Sequence, residues 1–408
     1  MVTLCPVFAS TRSKRIRFVM ASKIRVLLVD DSAVIRRLLT DVLSGDPTLE
    51  IVGGAPNGRV ALEQLPVLKP DLVVLDVEMP EMDGLETLTE IRKRQPRLPV
   101  IMFSSLTERG AIVTLEALAL GANDYVTKPS NTGNMLAALQ RVREELIPRI
   151  KTFCRHLLDP APTPLQPTER LVGFKPFATS GSSSGVPSPA PVPIPATPPF
   201  PTTDRFTTTT PSSPRQRIEV VAVGVSTGGP NALAAILSQF PAQFPAPVLV
   251  VQHMPALFTR LLAERLAAQS ALSVAEGADG EDLAPGLVRL APGGLHMTVE
   301  RRGTRVRIRL DQSEPENSCR PAANVLFQSV AEAYGGGALA VVLTGMGNDG
   351  LRGCEAIRKA GGQILVQDEA SSVVWSMPGC VARAGLADGE IALPRLAGEI
   401  LRRVRTGS

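Results

Sequence analysis

Two separate sets of residues in this 408-residue sequence have types and spacings that could do chemistry. The first is acidic. Asp30 and Asp31 follow the β-branched run Ile24 to Val29, Asp76 follows Leu72 to Leu75, Ser104 follows Pro99 to Phe103, and Lys128 with Pro129 follows Asp124 to Val126. Ligands of open α/β sheets gather at the carboxyl ends of the strands, so these side chains belong on one rim. Carboxylates converging there need a cation, and hard oxygen ligands with open positions suit Mg²⁺. A lysine and a hydroxyl beside them can hold phosphoryl oxygens. The chemistry is transfer of a phosphoryl group to a carboxylate, with metal and lysine neutralising charge in the transition state. For any one of these aspartates alone, a helix N-cap or a turn is the better explanation. The set carries the reading.

The second set is nucleophilic. Gly224 to Gly228 spells G-x-S-x-G after the run Val220 to Val225, at a strand-to-helix turn that exposes the Ser226 hydroxyl and aims helix N-terminal amides at a developing oxyanion. On its own the motif is weak, because Gly/Ser turns also bind phosphates or simply close a βα junction. A serine needs a base, and the base an orienting acid. The run Pro247 to Gln252 delivers His253, and Leu339 to Leu343 delivers Thr344-Gly345-Met346-Gly347-Asn348-Asp349-Gly350. Ser226 is then the nucleophile, His253 the base and Asp349 the orienting acid. Backbone amides around Thr227, Gly228 and Met346 are the candidates for the oxyanion hole. His296, the rival base, either lines the pocket or satisfies a turn. The order Ser, His, Asp differs from the Ser, acid, His order of α/β-hydrolases, which excludes a lipase or esterase of that fold.

The elements around these residues are of one kind. Short β-branched runs alternate with segments of helical period, such as Val34, Ile35, Leu38, Leu39, Val42 and Leu43 behind Ser32, the signature of βαβ units and a parallel sheet. Five strands and five helices fit the first block. Four strands stand out in the second, near Glu219 to Val225, Val248 to Gln252, Leu339 to Leu343 and Gln363 to Val366; between the second and third, Leu287 to Arg309 reads as an antiparallel insertion. The blocks are separated by a Pro/Ser/Thr-rich stretch: 15 of the 36 prolines lie between Pro160 and Pro214, a composition that cannot bury a core.

Composition excludes other classes. A net charge of +4 from 43 basic and 39 acidic residues, with 4% aromatics, gives no basic stripe or stacking platform for nucleic acid. Five scattered Cys without C-x-x-C spacing make neither a disulfide framework nor a zinc knuckle, and point to a reducing, cytoplasmic compartment. No apolar run is long enough for membrane insertion. At the N-terminus the apolar stretch Met1 to Ala9 precedes the basic one, Thr11 to Arg17, the reverse of a secretory signal. Residues 1–22 are therefore expected to be a disordered extension, with Met20 an alternative start.

The strings VLLVDDS, LDVEMPEMDG and DYVTKP resemble the receiver domain of two-component response regulators. GVSTGGP, VQHMP, LAPGGLHM and LTGMGNDG resemble the catalytic domain of chemotaxis protein-glutamate methylesterases. The resemblance implies a (βα)5 receiver at 23–148, a linker at 149–215 and a Rossmann-like α/β methylesterase domain at 216–405. It implies Asp76 as phospho-acceptor, Asp31 as a direct Mg²⁺ ligand with Asp30 nearby, and the Glu78 carbonyl completing that site. Ser104 and Lys128 take phosphate-sensing positions and Tyr125 that of a switch aromatic, although a strand aromatic explains Tyr125 equally well. The implied activity is hydrolysis of glutamate γ-methyl esters, and deamidation of selected glutamines, on methyl-accepting chemoreceptors, under control of a chemotaxis histidine kinase. The esterase step itself needs no cofactor. A Ser and an acidic residue are expected where Ala323 and Asn324 stand, a departure that bears on the substrate loop or on stability. The receiver, when unphosphorylated, is expected to cover the rim carrying Ser226. A DNA-binding response regulator would need a basic helix-turn-helix after the receiver, and a silent docking protein would tolerate loss of the triad; neither fits.

Overall fold

The computed structural model describes residues 23–129, 135–158 and 217–406. Its first unit runs β1 (Ile24–Val29), α1 (Ala33–Ser44), β2 (Leu49–Ala55), α2 (Gly58–Leu68), β3 (Leu72–Asp76), α3 (Gly84–Arg94), β4 (Val100–Ser104), α4 (Glu108–Ala119), β5 (Asp124–Thr127) and α5 (Met135–Phe153), with a further turn α6 (Arg155–Leu158). All strands are parallel, in the order β2-β1-β3-β4-β5. β1, β3 and β4 are almost wholly buried because helices cover both faces, which is why they read as continuous apolar runs. α1 to α4 each begin where a polar residue satisfies orphan amides: Ser32 accepts from Ile35 N, Asn57 from Val60 N, Asp83 forms a reciprocal capping box with Glu86, and Thr107 accepts from Gly110 N. The strand order reverses between β1 and β3, so Asp30, Asp31 and Asp76 stand at the switch point.

The second unit continues with β6 (Val220–Val225), α7 (Gly229–Leu237), β7 (Val248–Gln252), α8 (Ala256–Gln269), β8 (Ser273–Glu276), β9 (Leu287–Leu290), β10 (His296–Arg302), β11 (Arg305–Asp311), α9 (Ala323–Tyr334), β12 (Ala338–Val342), α10 (Leu351–Lys359), β13 (Gln363–Gln367), α11 (Met377–Arg383), β14 (Gly389–Ile391) and α12 (Leu393–Thr406). Seven strands form a parallel sheet, β14-β13-β12-β6-β7-β9-β8. Its switch point lies between β6 and β12, which places the loops after β6, β7 and β12 on one rim.

Two differences from the sequence reading have simple causes. The antiparallel insertion is narrower than Leu287 to Arg309: β9 pairs in parallel with β7 and β8, and the antiparallel part is the hairpin β10-β11, His296 to Asp311. β8 and β9 have four residues each and no helix between them, so the βαβ pattern that marks a parallel strand is missing. The chain is also helical through Phe153, and again at Arg155–Leu158, past residue 149 where the linker was expected to begin. Pro148 sits inside α5 without ending it. The N-terminal extension and most of the proline-rich stretch lie outside the described residues.

One buried apolar cluster runs from Leu75, Leu88 and Leu115 of the first unit to Leu233, Phe258 and Leu262 of the second. α4 packs on α7 and α8. The contact is also polar: Asn231 Nδ2 donates to the Leu118 carbonyl at 2.6 Å, Arg265 donates to the Leu115 carbonyl, and Arg260 pairs with Glu108 at 3.0 Å.

Candidate active site

Ser226 leaves β6 at a turn that glycine makes possible. Gly228 caps α7 with φ +79°, a left-handed conformation, and a Cβ there would stand 2.8 Å or less from two atoms of Val373. Gly345, in the loop after β12, passes so close that a Cβ would lie 2.8 Å from Ser226 Cβ. The Ser226 backbone is pinned from both sides: its N–H donates to the Thr344 carbonyl at 3.1 Å, and its carbonyl accepts from Gly229 N at 2.8 Å and from Gln252 Nε2 at 3.0 Å. Gln252 ends β7 and is buried, so the strand that delivers the histidine also fixes the serine turn.

His253 and Asp349 form a close pair, Nε2 to Oδ2 at 2.7 Å. The Asp349 carboxylate is buried and further accepts from Ala323 N at 2.6 Å, Asn324 N at 3.0 Å and Gly350 N at 3.0 Å. Burial pushes its pKa up, but His253 and these backbone amides outweigh it and hold the carboxyl below its usual range. For the imidazole, burial pushes downward, and the Asp349 carboxylate with the neighbouring Cys319 sulfur overrides it, raising the group to about 10. Ser226 and His253 line one small cavity of about 30 Å³ but form no hydrogen bond with each other. The rest of that cavity's wall includes Thr227, Gly228 and, from the first unit, Leu118, Asp124, Tyr125 and Arg149.

The receiver-side cover is specific. Thr227 Oγ1 donates to Asp124 Oδ2 at 2.8 Å, and Arg149 holds the same oxygen at 3.0 Å. The Tyr125 ring stacks on Phe258 with centroids 4.7 Å apart and planes 15° from parallel. Thr152 Oγ1 reaches Met346 Sδ at 3.5 Å. Met346 therefore lies against α5 and outside the wall of the serine cavity. His296 is not a pocket residue. It is fully buried at the start of β10, its Nε2 is 3.1 Å from the Glu314 carbonyl, and it lines neither cavity that holds His253.

At the acidic rim, oxygens of Asp30, Asp31 and Asp76 lie within 4.8 Å of one another. Lys128 Nζ stands 2.9 Å from Asp30 and 2.7 Å from Asp76, in ion-pair contacts that leave both Oδ2 atoms without a well-formed hydrogen bond. Burial raises Asp76 to about 6, with Asp30 adding to the shift and Lys128 opposing it. One lysine thus leaves a surplus of buried negative charge. Glu78 N–H is 3.4 Å from Asp76 Oδ1, while the Glu78 side chain turns outward to Arg109. Ser104 faces α4: its Oγ donates to the Gly110 carbonyl at 3.1 Å and is 2.7 Å from Thr114 Oγ1.

The CheB methylesterase family matches residues 221–400, and the response regulator receiver domain matches 26–140. The protein-glutamate methylesterase/protein-glutamine glutaminase of Trichodesmium erythraeum (strain IMS101) is 48% identical over 389 residues, 94% of this chain and 99% of that one. Its counterpart from Nocardioides sp. (strain ATCC BAA-499 / JS614) is 47% identical over 381 residues, 93% of this chain and 95% of the other. The chain belongs to the protein-glutamate methylesterase/protein-glutamine glutaminase family. Among solved structures, the Thermotoga maritima CheB methylesterase catalytic domain is 38% identical, covering 46% of this chain and 99% of that one with a TM-score of 0.45.

Within this family of hydrolases, five residues contribute to the site of this chain in ways that their place in the sequence does not announce. Gln252 reads as the last residue of an apolar strand, and Asp124 as a strand-edge acid. Cys319 is far from His253 in sequence. Ala323 and Asn324, expected to bear on the substrate loop or on stability, hold the candidate acid through backbone N–H groups, which every residue but proline supplies.

Proposed function

We propose that this chain is a phosphorylation-activated serine hydrolase that removes γ-methyl groups from glutamates, and ammonia from selected glutamines, on chemoreceptors. The closed His253–Asp349 pair beside Ser226, on the switch-point rim of a sheet, carries the reading. Ser226 Oγ attacks the ester or amide carbonyl and passes its proton to His253. Asp349 keeps the imidazole in the required tautomer and stabilises the imidazolium. Amides at the start of α7 hold the oxyanion. The protonated His253 then gives its proton to methanol or ammonia as it leaves, and water attacks the acyl-enzyme by the same route in reverse.

In the covered form this cycle cannot begin. The imidazole makes no hydrogen bond with Ser226. Four receiver residues wall the cavity and leave it about 30 Å³. Phosphorylation of Asp76 by a chemotaxis histidine kinase removes the wall. Ser104 offers the route, because an oxygen-rich phosphoryl group on Asp76 competes for its hydroxyl with Gly110 and Thr114 of α4, and α4 carries the carbonyls that accept from Arg265 and Asn231. Asp30, Asp31 and Asp76 fit Mg²⁺, since the buried negative charge of Asp30 and Asp76 exceeds what Lys128 neutralises. When bound, the ion supplies charge neutralisation for phosphoryl transfer, with the Glu78 carbonyl as a further ligand. The setting is the cytoplasm; no described helix is long and apolar enough to cross a membrane.

The test is methanol release from methylated receptor membranes in the presence of a small-molecule phosphodonor. Ser226→Ala should fall at least about a thousandfold below wild type. Wild-type release by that variant would overturn the mechanism.

A further inference from the structure

We infer that Asn324 and Glu316 form a positioning pair for the Asp349–His253 dyad, and that the pair works because residue 324 carries a neutral amide in place of the expected acid. The inference rests on the catalytic reading above. Asp349 lies between the N-termini of α9 and α10, and neither helix has a side-chain cap of its own. Asn324 supplies one from across the gap. Its Oδ1 accepts from Gly350 N and Gly353 N, both at 2.9 Å, in the first turn of α10. Its own backbone N–H donates to Asp349 Oδ1 at 3.0 Å. One buried residue therefore binds the candidate acid directly and also fixes the helix start that presents it.

With Oδ1 committed to two donors, the other end of the amide must donate. Nδ2 does so to Glu316 Oε1 at 2.7 Å. Glu316 closes a tight turn with Cys319 through paired backbone bonds of 3.1 and 2.9 Å, and Asn317 and Ser318 between them have positive φ. That turn brings Cys319 beside the imidazole. The pair thus ties together both groups that flank His253. An aspartate at 324 would keep the acceptor for the helix amides but would set a carboxylate oxygen 2.7 Å from Glu316 Oε1, where the amide nitrogen now stands, close to a third carboxylate on Asp349. Repulsion would open the turn, shift the cap, or both.

The experiment is methanol release by the phosphodonor-activated full chain, with kcat and KM measured separately. Asn324→Asp should lower kcat about tenfold or more with KM within about twofold, as for loss of a buried hydrogen bond that serves the transition state. Glu316→Gln alone retains an acceptor and should stay within about threefold of wild type. In the double variant Glu316→Gln/Asn324→Asp, the new amide at 316 can donate to the new carboxylate at 324, and kcat should recover to within about threefold. Wild-type kcat in Asn324→Asp, or a double variant no better than the single one, overturns the inference. Should Asn324→Asp fail to fold, Glu316→Ala leaves the cap intact and decides: the pair requires a kcat loss of about threefold or more at unchanged KM, and wild-type kcat contradicts it. Ser226→Ala separates this result from failure of the catalytic reading, since activity in that variant would discard the dyad's role altogether.

Discussion

At the scale of single residues, the site is held by charge. The His253 imidazole is raised because the Asp349 carboxylate stands 2.7 Å away in a buried place, while Asp349 is held down by the imidazole and by the Asn324 and Ala323 backbone amides. The folded protein therefore binds a proton at His253 that the unfolded chain releases above its ordinary value of 6.5. This stabilisation is fully present below 6.5 and is lost as pH rises toward about 10. Thermal melts of the unphosphorylated chain across that window should show Tm falling with pH, and Asp349→Asn should flatten the slope. Equal slopes would mean that the pair does not titrate as described. Ser226, His253, Asp349 and Asp76 stand out in the sequence because Asp76 ends a recognisable strand, Ser226 and His253 directly follow one, and Asp349 closes the glycine-rich loop after another. For His296 the sequence leaves a pocket residue and a turn residue both open: a histidine after a Pro-Gly-Gly turn looks available, but the turn feeds a hairpin strand that buries it.

At the scale of elements, geometry comes from the loops after parallel strands, and glycine sets their limits. Gly228 combines a positive φ with a Cβ position already occupied by Val373. Gly228→Ala should cost about 1–3 kcal/mol of stability and lower kcat by more than that loss explains, because the turn also aims the Ser226 hydroxyl. Denaturant melts beside methanol release measure both, and a variant with wild-type kcat would show that the turn tolerates the change. The alternation of strand and helix made nine of the twelve main-sheet strands readable in advance, while β8, β9 and β14 were missed or misassigned. Their three or four residues carry too few side chains to show a period, and pairing within a large sheet, a long-range property, is what makes them strands.

At the scale of the whole molecule, the two units meet through α4, β5 and α5 on one side and the serine rim on the other. The covering of Ser226 was an expectation from two domains sharing one chain. The residues that do it, Leu118, Asp124, Tyr125 and Arg149, could not be read from either unit alone, since each is an ordinary surface or strand residue until the partner face is present. Removing Asn231 and Arg265 side chains together deletes two hydrogen bonds to α4 without touching the triad. Asn231→Ala/Arg265→Ala should raise methanol release by the unphosphorylated chain about five- to tenfold and leave the phosphorylated rate unchanged. No change in the basal rate would argue that these bonds do not hold the cover. The central claim, a serine nucleophile hidden by the receiver and exposed by phosphorylation, is tested most directly by the rate at which a fluorophosphonate labels Ser226 with and without a small-molecule phosphodonor. Labelling should be slow in the resting chain, rise about tenfold or more with the phosphodonor, fail to rise in Asp76→Asn, and vanish in Ser226→Ala. Equal labelling in the resting and phosphorylated chains would contradict the account.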